Sequence, residues 1–405
     1  MARSNSFVLG RKLLTSGLIA QLASLVSLAF AANQTTPDDF ARFGMIMAGT
    51  GVIASVNTLA AETRATVVSG AQAEAITRAG STACAAFALL IVIGSLMTLP
   101  VGQDWVVVGL FIGGCSFLVG LQQLLSGIVL REEKQELLAR SRLVQGLSNA
   151  LLIVVLLLTP MNGEVALGLA WLVSLALGDA VIARGVVGWS MAFRTATRDD
   201  FRSLISEVKW QPVSNLLVSS TGSFPLLFLP LGGAIALAGA WALASRFLLP
   251  VVNLAQVVLT PVYYGRAASY YRAKEYESFR TFHMKWMVGL LVAGVPVLIG
   301  IFVCIEWFIP ALGAEWGIAR NTLVPACIFF TSLFVWLPLS QTLILQGRVN
   351  AQFAWTVLRF VACLAPFALL GRADPDVVLL GWAVASAFTI ALHNLWQRSI
   401  VTPGG

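Results

Sequence analysis

Charge is scarce in this sequence. Aspartate, glutamate, lysine and arginine make up 11% of its 405 residues, against 58% hydrophobic ones, where soluble domains carry roughly 25% charged residues. With a mean hydropathy of +0.84, that scarcity excludes a soluble globular chain and predicts an all-α, polytopic integral membrane protein. Histidine is scarcer still, the two being His283, read as lying in a loop, and His393 near the end. No H-E-x-x-H, P-loop, G-x-S-x-G or dinucleotide fingerprint occurs, so soluble catalysis is not expected and no cofactor is implied. The five cysteines, Cys84, Cys115, Cys304, Cys327 and Cys363, all sit in apolar runs and offer neither zinc spacing nor a disulfide framework. No hydrophilic stretch is long enough to fold as a domain of its own, the longest connections being 131–142, 194–209 and 263–285.

What is present is a series of apolar runs of spanning length. About twelve are expected, at roughly 13–32, 43–61, 79–99, 104–130, 143–160, 165–188, 210–229, 232–262, 286–309, 321–345, 351–370 and 377–396. The stretch 194–209 then separates an amino-terminal lobe of six spans, 1–193, from a carboxy-terminal lobe of six, 210–405. An even number of spans makes the two halves parallel in the membrane, as in one class of transporter repeat. The net charge of +7 does not point to nucleic acid, because the basic residues lie in short connections. With the amino terminus in the cytoplasm, alternate connections carry only Arg42, Arg320 and Arg372, alongside Asp38, Asp39, Asp104, Glu164, Glu315, Asp374 and Asp376. The positive-inside rule thus places both termini in the cytoplasm. Arg11, Lys12 and the AFA of 29–31 imitate a cleavable signal peptide, but the long first run, interrupted by Gln21 and Ser24, reads as an uncleaved span.

Two arginines fall at membrane depth, Arg246 and Arg359. A guanidinium at bilayer depth costs at least about 2.5 kcal/mol, so each must face something inside the protein. On a helix, Arg246, Pro250, Asn253, Gln256 and Thr260 fall within one broad polar stripe. That stripe fits either an arginine paired to fix packing or a cationic site in a hydrated cavity facing an anionic substrate. The opening helices of the two halves also carry polar residues at helical spacing, Gly17, Gln21 and Ser24 in one, Gln211, Asn215, Ser219 and Gly222 in the other. Cavity lining and close helix packing both use such residues. Among the carboxylates near span ends, Glu62, Asp179 and Glu306, Asp179 is the candidate for proton or sodium coupling, with an ion pair to Arg184 as the alternative. All five tyrosines lie in 263–285 among arginines and lysines, which reads as a segment on the inner leaflet attracted by anionic lipids, or as an ordinary solvated loop.

Four stretches carry a family resemblance. Gly17 and Gln21 with TTPDDFARFG (35–44), GAWALASRFLLPVVNLAQVVLTPVYYGRAA (239–268), ALGAEWGIARNTLVP (311–325) and PLSQTLILQGRVNAQFAWTVLRF (338–360) resemble, in order and spacing, the polysaccharide and O-antigen flippases. These are lipid-linked oligosaccharide translocases of the multidrug/oligosaccharidyl-lipid/polysaccharide exporter (MOP) superfamily. The run LAAETRATVV (59–68) departs from that family's arginine, aromatic, glutamate pattern. The resemblance implies two six-helix lobes around a central cavity, alternating access in the inner membrane, and an undecaprenyl-diphosphate-linked glycan as cargo for O-antigen, capsule or exopolysaccharide assembly. It further implies a polysaccharide polymerase and chain-length machinery as partners. On this reading Arg246 and Arg359 meet the diphosphate, and Gln21, Gln211, Asn215 and Asn253 hydrogen-bond the sugars. A cation-coupled drug antiporter of the same superfamily and a membrane glycan polymerase or ligase are the alternatives. The first should carry acids deep in a lobe, and the second a large outer loop, where this chain has about a dozen residues at most.

Overall fold

The computed structural model describes residues 19–65, 70–97, 103–132, 134–186, 195–339, 342–345, 348–370 and 372–399. In a bilayer, backbone N–H and C=O groups find partners only within the chain, so long apolar runs must become helices. Here they do so as α1 (Ile19–Gln34), α2 (Pro37–Asn57), the short α3 (Ala61–Ala65), α4 (Gly70–Leu96), α5 (Gln103–Arg131), α6 (Gln135–Leu157) and α7 (Gly163–Gly185). There follow α8 (Arg198–Val208), α9 (Gln211–Leu231), α10 (Ile235–Arg272), α11 (Tyr276–Leu312), α12 (Ala319–Leu339), the short α13 (Thr342–Leu345), α14 (Val349–Leu364) and α15 (Pro375–Ser399). Ten helices among the described residues are long and apolar enough to cross a membrane. The first two expected spans correspond to α1, which is shorter, and α2, whose first turns hold Asp38, Asp39 and Arg42. Gly17 and the signal-like start lie outside the described residues.

By their contacts the residues form two compact units, Met1–Ser223 and Phe224–Gly405. In the first, α2 starts at a capping box: Asp39 N–H donates to Thr36 Oγ1 at 3.3 Å and Thr36 N–H donates to Asp39 Oδ2 at 3.1 Å. Such a cap contributes about 1 kcal/mol. Arg42 then donates to the buried Glu164 at 2.8 Å, tying the start of α2 to that of α7. Small residues let the helices close up. A Cβ on Gly80 would lie 2.5 Å from Ala61 Cβ, and one on Gly120 2.5 Å from Cys84 Sγ.

The expected linker 194–209 contains α8, which is docked rather than free. Its cap repeats the Thr36 arrangement, with Thr197 N–H donating to Asp200 Oδ2 at 2.9 Å, and Asp200 also takes Arg78 of α4 at 3.0 Å. That guanidinium holds the Asp200 carboxyl below the usual carboxylate range, so the clamp is complete at neutral pH and is lost only as the pH falls through the lowered value. Leu204 and Val208 complete the seal against Ala61, Ile76 and Leu124.

The division between units falls inside α9. There Thr221 and Ser223 turn their hydroxyls onto the carbonyls of Leu217 (2.8 Å) and Ser219 (3.0 Å), and Pro225 removes a backbone donor. Beyond it, Phe224 and Phe228 pack on Phe367, with Phe360 also 5.2 Å from Phe224 between ring centroids. The core of the second unit is aromatic too. Trp241 of α10 is fully buried against Phe329 and Phe330 of α12 and Trp382 of α15.

The stretch 263–285, for which an ordinary solvated loop is one expectation, is the tip of a helical hairpin. No proline interrupts YYGRAASYYRAKEYESF, so α10 runs on to Arg272 and α11 begins at Tyr276, with Lys274 at φ 58° in the turn. Stacking of Tyr263 on Phe282, 5.5 Å between centroids, holds the two extensions together. His283 accordingly lies on α11, and it is buried rather than in a loop.

Candidate functional site

In the first unit the chemistry gathers around Asp179. An uninterrupted apolar helix, α7, carries this residue inward: it is 4% exposed, and among the described residues neither carboxylate oxygen has a partner at hydrogen-bond geometry. Arg184 is exposed, five residues on, a spacing that turns it to a different face of the helix and leaves Asp179 without that cation. Polar neutral groups surround the carboxyl. The amide of Gln122 on α5 lies beside it and bonds Gln145 of α6 at 3.1 Å, and Ser141 donates to the carbonyl of Gly178 at 2.9 Å. Gln122 and Ser141 also line a pocket of about 470 Å³, together with Glu62, Thr63, Ser126 and Arg142. In the expected orientation that pocket lies at the cytoplasmic end. A buried carboxylate with no counter-charge, one layer from a polar pocket, is arranged to take up a proton or a small cation.

In the second unit Arg246 and Arg359 prove unlike. Trp241, Leu248 and Val252 of α10 are buried in the unit's core, whereas Arg246 is half-buried and Leu249 and Asn253 are exposed. Arg246 and Asn253, seven residues apart, lie on one side of α10 that is half-buried at Arg246 and exposed at Asn253, within an apolar span. Arg359 is enclosed at 4% exposure, its Cζ 4.6 Å from the centre of the Trp336 ring and its Nη2 3.4 Å from Ser386 Oγ. It joins α14 to α12 and α15. Replacement by alanine is therefore expected to destabilise the protein by about 2–4 kcal/mol through lost cation–π contact and a cavity, measured as a lower melting temperature of the purified chain.

Gln211 donates to Asn215 at 2.9 Å on the half of α9 belonging to the first unit, and Gln21 is half-buried on α1. The neighbourhood that sequence reading missed is the pair of histidines. Tyr263 Oη lies 2.7 Å from His283 Nδ1 and 2.8 Å from Thr342 Oγ1. Trp336 Nε1 donates to His393 Nδ1 at 3.2 Å, Gln397 is 3.2 Å from His393 Nε2, and Trp355 stacks on the imidazole. The signal was present in α15, where Ser386, Thr389, His393 and Gln397 recur at helical spacing.

No family model and no curated protein sequence matches the chain. Solved structures do match it. A multidrug resistance MATE family transporter of the MOP superfamily, in its inward-facing conformation, aligns at a TM-score of 0.67 and 13% identity over 96% of this chain and 97% of that one. The lipid II flippase MurJ aligns at 0.68 and 14% identity, over 98% and 88%. A MOP superfamily transporter from Pyrococcus furiosus, described as having a binding pocket of reversed polarity, aligns at 0.62 and 14%, over 96% and 94%. The shared feature is the MOP-type fold. With ten helices among the described residues long and apolar enough to cross a membrane, this fold agrees with a multi-pass membrane protein.

Proposed function

We propose that the chain is a flippase that carries an undecaprenyl-diphosphate-linked oligosaccharide across the inner membrane, for O-antigen, capsule or exopolysaccharide assembly, by alternating access. The observation that carries this reading is the half-buried Arg246 at span depth on α10, with the exposed Asn253 two turns further along the same side. A lipid-linked glycan combines an apolar tail with a diphosphate and sugars, and only the latter two resist the hydrocarbon. A guanidinium suits a diphosphate because its planar fork gives two parallel charge-assisted hydrogen bonds. Arg246 is assigned to the diphosphate, with Gln21, Gln211, Asn215 and Asn253 serving the sugars. Arg359, enclosed beneath Trp336, holds α14 to α12 and α15. Asp179 supplies the coupling to a proton or sodium gradient.

A drug-cation antiporter is the second reading, supported by the MATE neighbour and by Asp179 in its lobe. The two differ in the charge they want at the binding face, and α10 presents a cation. The test is a pair of assays on vesicles containing the purified chain. Undecaprenyl-diphosphate-linked oligosaccharide should become accessible in the opposite leaflet, and a fluorescent organic cation should not be moved. The reverse result would give the antiporter reading its place.

A further inference from the structure

We infer that the hairpin tip of α10 and α11 holds a specific site for one anionic phospholipid of the inner leaflet, distinct from the cargo. A groove of about 790 Å³ runs along this tip. Its polar lining comes from Arg266 and Tyr270, four apart on α10, and from Ser278, Thr281 and Lys285 on one broad face of α11, with Glu277 at the rim. Its wall is aromatic: Phe282 lies 5.4 Å from Tyr270 and 5.9 Å from Trp286 between centroids.

The charge in the groove is that of an anion receptor. Arg266 and Lys285 are exposed, and among the described residues their side chains take no ion-pair partner. The one carboxylate present, Glu277, is already engaged by Arg280 at 2.6 Å. Depth identifies the ligand's other half. Gly289 and Leu290 form the groove's inner end, and beside them begins a run of exposed apolar side chains, Val288, Leu291, Val292, Val295 and Ile299. A Cβ on Gly289 would meet nothing within 4 Å, so the notch is open. A headgroup phosphate thus meets Arg266 and Lys285 while the acyl chains continue along the valine face. Trp286 sits at the junction, where interfacial tryptophans concentrate. A free phosphate would satisfy the cations and leave the apolar end unused.

The test uses the full chain in nanodiscs of phosphatidylcholine containing a minority of phosphatidylglycerol, with native mass spectrometry counting lipids that survive detergent exchange. One phosphatidylglycerol should be retained. Arg266→Gln with Lys285→Gln should weaken its retention about thirtyfold, given roughly 1 kcal/mol per juxtamembrane cation. Arg272→Gln with Lys274→Gln, which removes equal charge at the turn, should not. The charge-preserving exchange Arg266→Lys with Lys285→Arg should keep most of the binding, which separates loss of the site from loss of the fold. Equal loss in both neutralised pairs would reduce the effect to general surface charge and overturn the site. So would equal retention of phosphatidylcholine, or displacement of the lipid by undecaprenyl diphosphate at equal concentration, which would make the groove a cargo-loading station.

Discussion

Arg246→Ala is expected to lower translocation of lipid-linked oligosaccharide by about a hundredfold or more while the purified protein melts near the parent's temperature. The size follows from the interaction removed. Each charge-assisted hydrogen bond contributes about 1.5–3 kcal/mol, and a bidentate pair doubles it, against 1.36 kcal/mol per tenfold in rate. The silence in stability follows from position, since Arg246 lies on the face of α10 away from Trp241 and Leu248. Arg246→Lys keeps the charge but loses the fork and should retain part of the activity. Arg246→Glu should be worse than alanine, because a carboxylate repels the headgroup in a medium of low dielectric. Paired measurements decide the matter: accumulation of lipid-linked glycan on the inner leaflet, and thermal melting of the same variants. If melting falls in proportion to transport, Arg246 is a packing residue like Arg359. An active and stable alanine variant would remove it from both roles.

Asp179→Asn should slow gradient-driven transport by about tenfold or more and abolish its dependence on the imposed proton or sodium gradient. Asparagine has the shape of the protonated acid and cannot discharge, so the site is fixed in its neutral state. Relieving a buried carboxylate with no partner at hydrogen-bond geometry among the described residues should leave the melting temperature unchanged or raised. Cargo binding should persist. Vesicles holding a pH or sodium gradient, with cargo flipping as the readout, provide the check, and gradient dependence equal to the parent's would take Asp179 out of the mechanism.

Much of the fold was legible because hydropathy at period 3.6 survives in a bilayer with few competitors. Among the described residues each of the twelve expected runs falls on helix, ten of them long and apolar enough to cross a membrane. The misreadings arose where polarity was taken as a sign of loop. Residues 263–285 are rich in charge yet helical on both sides of a short turn, since no proline interrupts them and Tyr263, Phe282 and Trp286 pack across that turn. The stretch 194–209 carried its own capping box, TRDD at 197–200, which a search for caps would have found. Site residues were harder to read. Sequence places Arg246 and Arg359 alike at mid-span, and only the packing of Trp336 and Ser386 around one of them tells them apart. The Tyr263–His283–Thr342 bonds span separations of 20 and 79 residues, beyond any local pattern.

The way α9 is held has a mechanical consequence. The near end of this helix belongs to the first unit, and its far end packs through Phe224 and Phe228 on Phe367 of the second. Between the two ends it lacks the hydrogen bond that Pro225 removes, and two hydroxyls compete for its carbonyls. Its bending stiffness is therefore low where torque would concentrate, and flexure there demands no unwinding elsewhere. In the proposed alternating access, a compliant rod of this kind would act on the height of the barrier between end states and hardly on their relative populations. On the proposed mechanism the dwell time in each state, rather than its occupancy, is the quantity set by three residues, Thr221, Ser223 and Pro225.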